Sequence, residues 1–76
     1  MDQTGREALL KRVEREARAY ANADETTRLI RWGRVMGLLE AGVVLGFWSA
    51  KARDRASEQA HYKYALHRLP RTLEQR

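Results

Sequence analysis

The sequence predicts an all-α fold: an N-terminal amphipathic helix followed by one long helix containing a single transmembrane segment. Three observations predict it. The one proline, Pro70, lies near the C-terminus, so nothing before it forbids continuous helix. Residues 5–21 are rich in strong helix formers. Residues 35–50 carry one charge, Glu40, and each end of this run has basic residues and a tryptophan. The boundaries expected are 1–23 for the amphipathic helix, 24–69 for the long helix with its span at about 31–52, and 70–76 for a frayed tail.

The totals restrict the function classes. A chain of 76 residues makes one domain at most, and its own core is marginal. A third of the residues are charged and the apolar ones are concentrated in the middle, so stability must be borrowed from a partner, a second copy or a bilayer. The absence of cysteine excludes disulfides and thiolate metal sites. Residues 1–30 hold six basic and six acidic side chains, residues 31–55 five and two, residues 56–76 four and two. The net charge of +5 therefore begins at the apolar segment, where it suits anionic headgroups. The N-terminus lacks the apolar stretch of a signal peptide, and Asp2, Glu7, Glu14 and Glu16 interrupt the arginines that a mitochondrial presequence would need.

The first helix is marked by one narrow apolar stripe, Leu10, Val13, Ala17 and Tyr20, at helical spacing. Acidic residues interleaved with its arginines would repel phosphate, which argues against a DNA-recognition helix. A break follows at residues 22–24. Asn22 or Asp24 can cap the next helix, and Glu25 stands three residues after Asn22 in capping-box position. Further on, Ala52, Ala56 and Ala60 recur every fourth residue, a thin small-residue stripe suited to a close neighbour. His61 and His67 fall on different faces with no carboxylate around both, so no metal site and no cofactor is expected.

The central segment is short for a membrane. Sixteen residues rise about 24 Å against a hydrocarbon core of roughly 30 Å. Arg31, Arg34, Lys51 and Arg53 can snorkel to headgroups and extend it. Trp32 and Trp48 stand where indoles favour the interface. Glycine is the stronger signal. Each interior glycine costs a helix in water about 1 kcal/mol, yet Gly33, Gly37, Gly42 and Gly46 all occur within this stretch. They form two Gly-x-x-x-Gly pairs on opposite faces: Gly33, Gly37, Glu40 and Val44 on one, Gly42, Gly46, Val35 and Leu39 on the other. Small residues of this kind let helices approach closely in lipid. Glu40 would then be a buried polar group facing protein, paired with an arginine or hydrogen-bonded while protonated, because an acid near mid-bilayer costs about 2.5–3.5 kcal/mol.

The stretch AGVVLGFW at residues 41–48, followed by a charged helix containing HYKY, resembles the small e subunit family of the mitochondrial ATP synthase. The resemblance covers roughly residues 29–68. Arg34, Gly42, Gly46, Phe47 and Tyr62 or Tyr64 match the family's pattern, while Glu40 and the longer first helix depart from it. It implies a non-catalytic accessory subunit of a proton-transport complex, single-pass in the mitochondrial inner membrane. Gly42 and Gly46 would pack against a subunit g-like helix of the same complex, supporting dimerisation and membrane curvature. Arg31, Arg34, Lys51 and Arg53 would hold anionic lipid such as cardiolipin.

The alternative from the residues themselves is a soluble all-helical oligomeric interaction or regulatory protein, its central helix buried against a copy of itself. An enzyme is not expected: no nucleophile–histidine–acid set, metal-ligand spacing or phosphate loop is present. Nor is a nucleic-acid partner, because no aromatic-basic platform shows in the basic C-terminal half.

Overall fold

The computed structural model describes residues 3–74. Helix α1, Gln3–Ala21, ends where Asn22 breaks the pattern. Asp24 then caps α2, Glu25–Val44, accepting at one carboxylate oxygen from the Thr27 amide at 2.9 Å and from the Thr26 and Thr27 hydroxyls at 2.8 and 2.9 Å. Asn22 serves the chain differently. Its Nδ2 donates to the Arg18 carbonyl and its Oδ1 accepts from Lys63 Nζ, both at 3.0 Å. The short link folds α2 back along α1.

The long helix expected over 24–69 is broken twice, and the first break removes the membrane span. α2 ends at Val44 because Gly46 adopts φ +78°, a left-handed conformation that favours glycine. The Gly46 amide donates to the Val43 carbonyl at 3.1 Å and the Phe47 amide to the Gly42 carbonyl at 2.8 Å, the paired bonds of a Schellman C-cap. Trp48 then folds back onto α2, its indole Nε1 donating to the Leu39 carbonyl at 2.8 Å. Gly42 makes room for it: a Cβ built there would overlap Cε2 and Cζ2 of the indole. Ser49 starts α3, Ala50–Ala60, by accepting from the Ala52 amide at 3.0 Å. Among the described residues no helix is long and apolar enough to cross a membrane. The fold is a four-helix globule, not a helix pair with a transmembrane segment.

The second break comes at His61 and Tyr62, after which residues Lys63–Arg68 form a 3-10 segment that leads into α4, Leu69–Glu74. Pro70 was expected to end a helix. It sits instead in the first turn of α4, where its missing amide hydrogen costs nothing and its fixed φ suits the helix. The tail is not frayed over its described part, because Leu69 and Leu73 are fully buried and Arg6 Nη2 holds the Leu73 carbonyl at 2.8 Å. Gln75 and Arg76 lie outside the described residues.

One core joins these elements. Val13, Ala17 and Tyr20 of the expected α1 stripe face it, with Leu10 partly buried beside them. Val35 and Leu39 come from α2, Ala52, Ala56 and Ala60 from α3, and Leu69 and Leu73 from α4. Five of the twelve buried apolar residues are alanine, so the helices lie close but remove little surface from water. Each fully buried leucine or valine contributes roughly 1.5–3 kcal/mol, and few are present.

The corner at Gly42–Trp48 yields a first prediction. Gly42→Ala should destabilise the chain by roughly 1–3 kcal/mol through overpacking, and Gly46→Ala by about 1–2 kcal/mol through its backbone, as measured by urea unfolding. Unchanged midpoints would contradict the seating of Trp48. A second prediction concerns acid. Hydrogen bonds from the Thr26 hydroxyl and then the Thr27 amide and hydroxyl hold the Asp24 carboxyl below its ordinary value. A lowered folded-state pKa gives stability that is present above the unfolded value of about 3.9 and is lost as the pH falls through the folded one. Asp24→Ala should therefore melt below the parent chain near neutral pH, and the gap should close in acid. A gap of constant size at every pH would contradict the cap.

Candidate interaction surface

At 100° per residue α2 presents two apolar faces. Val35, Leu39 and Gly42 are buried in the core. The opposite face carries Ile30, Gly33, Gly37 and Val44, with Leu29 and Glu40 on one flank and Ala41 on the other. Leu29 is 80% exposed, Ile30 63% and Val44 79%. Above Gly33 and Gly37 an added Cβ would meet nothing within 4 Å. The outer face is thus a shallow saddle: two glycines at the centre, branched side chains toward each end, and none of the described residues packed over its centre. An interior glycine costs a helix about 1 kcal/mol, and among the described residues no close contact repays that at Gly33 or Gly37.

Polar side chains frame the saddle. Glu40 was expected to be a buried polar group; it is exposed and paired with Arg53, Nη1 to Oε1 at 2.7 Å. Hydrogen bonds from Arg53 to Glu40 and then to Asp54 push its guanidinium above the ordinary value. Such surface pairs add little stability, but this one partly offsets the Glu40 charge at the edge of the apolar face. On the other side Arg34 shares a notch of about 340 Å³ with Arg12, Glu16, Gly37 and Leu38. Arg31 lies 3.6 Å from Glu16. Lys51 is exposed in the first turn of α3. The four basic residues expected to hold lipid headgroups are therefore distributed around the globule, two of them in ion pairs.

The two tryptophans expected at a membrane interface have internal roles. Trp48 is buried at the corner. Trp32 stacks on His61 with ring centroids 4.1 Å apart and tilts against Tyr20 at 4.9 Å. The Tyr20 hydroxyl lies 3.3 Å from His61 Nδ1, and the Arg28 guanidinium sits over the Tyr20 ring at 4.8 Å. This cluster ties the end of α1 to the start of α2 and the end of α3. It also walls a notch of about 270 Å³ shared by Tyr20, Glu25, Arg28, Leu29 and Trp32, at the upper end of the saddle. Sequence spacing could not reveal it, since Tyr20 and His61 are 41 residues apart.

Of the two glycine pairs, one remains on a helix surface. Gly33 and Gly37 stay together on exposed α2, whereas Gly42 is filled by Trp48 and Gly46 lies beyond the helix end. Among the described residues no three histidine, aspartate or glutamate side chains gather as metal ligands do. No protein-family model, curated protein or solved structure matches this chain.

Proposed function

We propose that this chain is a small all-helical interaction module that associates with a second copy of itself through the outer face of α2. One observation carries the reading: a continuous exposed apolar face, Leu29, Ile30, Gly33, Gly37 and Val44, on the helix that also forms the core. A thin, alanine-rich core supports it, because a chain of this size gains from burying further surface.

The face is self-complementary. In an antiparallel pair related by a two-fold axis near Val35, Ile30 of each copy lies over Gly37 and Ala41 of the other, and Thr26 lies opposite Val44. A large side chain thus meets a small site at both ends, as an isologous interface requires. Bare glycines at the crossing permit close backbone approach, and an interface of this kind accounts for the helix propensity given up at Gly33 and Gly37. The reading as a mitochondrial ATP synthase subunit needs Gly42 and Gly46 on one membrane-crossing helix. α2 stops short of Gly46, so neither that role nor placement in the inner membrane is carried into this proposal.

The test separates the chain from its interface. In detergent-free buffer, sedimentation equilibrium should show a dimer that Ile30→Glu converts to a monomer of unchanged helicity. Gly37→Ala should act in two directions. It should stabilise the dilute monomer by about 1 kcal/mol, the helix-propensity difference, and weaken the dimer. A parent chain that stays monomeric at high concentration, or an Ile30→Glu variant that dimerises as the parent does, would overturn the reading.

A further inference from the structure

The interaction surface uses none of the basic C-terminal residues, and the fold gathers these into one place. Between α3 and the 3-10/α4 segment runs a groove of about 480 Å³ lined by Arg55, Gln59, His67, Arg68, Arg71 and Thr72. Three guanidinium-bearing side chains and a histidine line one concavity, which among the described residues includes no carboxylate. At the groove the Thr72 hydroxyl donates to Gln59 Oε1 at 2.8 Å, which ties α4 to α3 and fixes the spacing of the two walls. Several arginines outside the groove are engaged within the chain. Arg6 holds the Phe47 and Leu73 carbonyls, Arg28 covers Tyr20, Arg31 meets Glu16, and Arg53 bridges Glu40 and Asp54. Among the described residues His67, Arg68 and Arg71 make no ion pair. The Arg68 and Arg71 guanidinium groups carry like charge, and an anion in the groove would offset their repulsion.

Two aromatic side chains lie at the start of the 3-10 segment that forms one wall of the groove. Tyr62 and Tyr64 are 51% and 72% exposed, with ring centroids 5.5 Å apart. A 3-10 segment has about three residues per turn, so Tyr64 and His67 share one ridge, and Arg68 follows about a third of a turn around. Large aromatics left in solvent next to a cluster of arginines match the two needs of an unpaired nucleic-acid strand: guanidinium groups for the phosphates and ring faces for the bases. A duplex would hide the base faces that tyrosine could stack on.

We infer that the Arg55–His67–Arg68–Arg71 groove, with Tyr62 and Tyr64 at its edge, binds the phosphodiester backbone and bases of single-stranded nucleic acid. The groove lies between α3 and the C-terminal segment, whereas the self-association face lies on α2, so either can fail without the other. Tyr62, Tyr64, His67, Arg68 and Arg71 stand together in the sequence, where spacing alone shows no aromatic-basic platform; the fold adds Arg55 from α3 and closes the groove.

Fluorescence anisotropy of a labelled oligothymidylate tests it, with the same strand in duplex form and vesicles of mixed phosphatidylglycerol and phosphatidylcholine as the other arms. The single strand should bind, and log affinity should fall linearly with log salt concentration. Replacing Arg68 and Arg71 together by Gln should reduce the size of that slope by about 1.4, two phosphate contacts at roughly 0.7 each. Tyr64→Ala should weaken binding about tenfold with the slope unchanged, the loss of one stacked base. Both variants alter exposed side chains, and circular dichroism should show parental helix content. Four results would overturn the inference: no binding at low salt, affinity unaltered in the double variant, a duplex bound as tightly as the single strand, or binding to anionic vesicles only.

Discussion

The structure depends on the seating of Trp48 against Gly42. Between Val35 and Ala50 the chain carries enough apolar residues for one uninterrupted helix, and the choice between a rod and a folded corner is made over a few residues. Gly46 takes the left-handed conformation that closes α2, and the Trp48 indole returns to fill the space that Gly42 leaves, its N–H satisfied by the Leu39 carbonyl. With that corner in place, α3 turns back along α2, and its alanine stripe meets the core. Without it, Ala52, Ala56 and Ala60 would lie on a rod with nothing to pack against.

This corner also explains how one helix comes to have two apolar faces. In a rod through lipid, both faces of α2 would meet hydrocarbon or neighbouring helices. In the folded chain the face with Val35, Leu39 and Gly42 is spent on the core. The face with Gly33, Gly37 and Val44 is left outside. A small protein with five alanines among its buried residues has little surplus stability. An external helix surface that bears exposed branched side chains and two unsupported glycines is the feature on which the proposed self-association rests.

Much of the local structure was legible from residue types. The α1 stripe, the break at 22–24 and the Ala52–Ala56–Ala60 contact follow from spacing and side-chain chemistry, whereas residue type left the cap open between Asn22 and Asp24. The division of α2 into two opposed faces was legible too, because helical periodicity is indifferent to the medium. The medium itself was not. Gly46 is read as a packing residue when only the Gly-x-x-x-Gly spacing is considered. The same glycine followed three residues later by Ser49 is also the signature of one helix ending and another beginning. Which reading wins is decided by Trp48, whose partner is a backbone carbonyl and a missing Cβ, neither of which leaves a pattern in the sequence. Pro70 misled for a related reason: the restriction that stops one helix also favours the first turn of the next. The aromatic cluster at Tyr20, Trp32 and His61 joins residues distant in the chain, and the basic groove depends on the second break, which sets the 3-10 segment and α4 against α3.

The most direct measurement is proton NMR of the chain in water without detergent. If the indole covers Gly42, the Gly42 α-protons should be shifted strongly upfield by the ring current and should show nuclear Overhauser contacts to the Trp48 ring. Ordinary chemical shifts for those protons, with no contact to the ring, would show that the apolar segment does not fold back on itself.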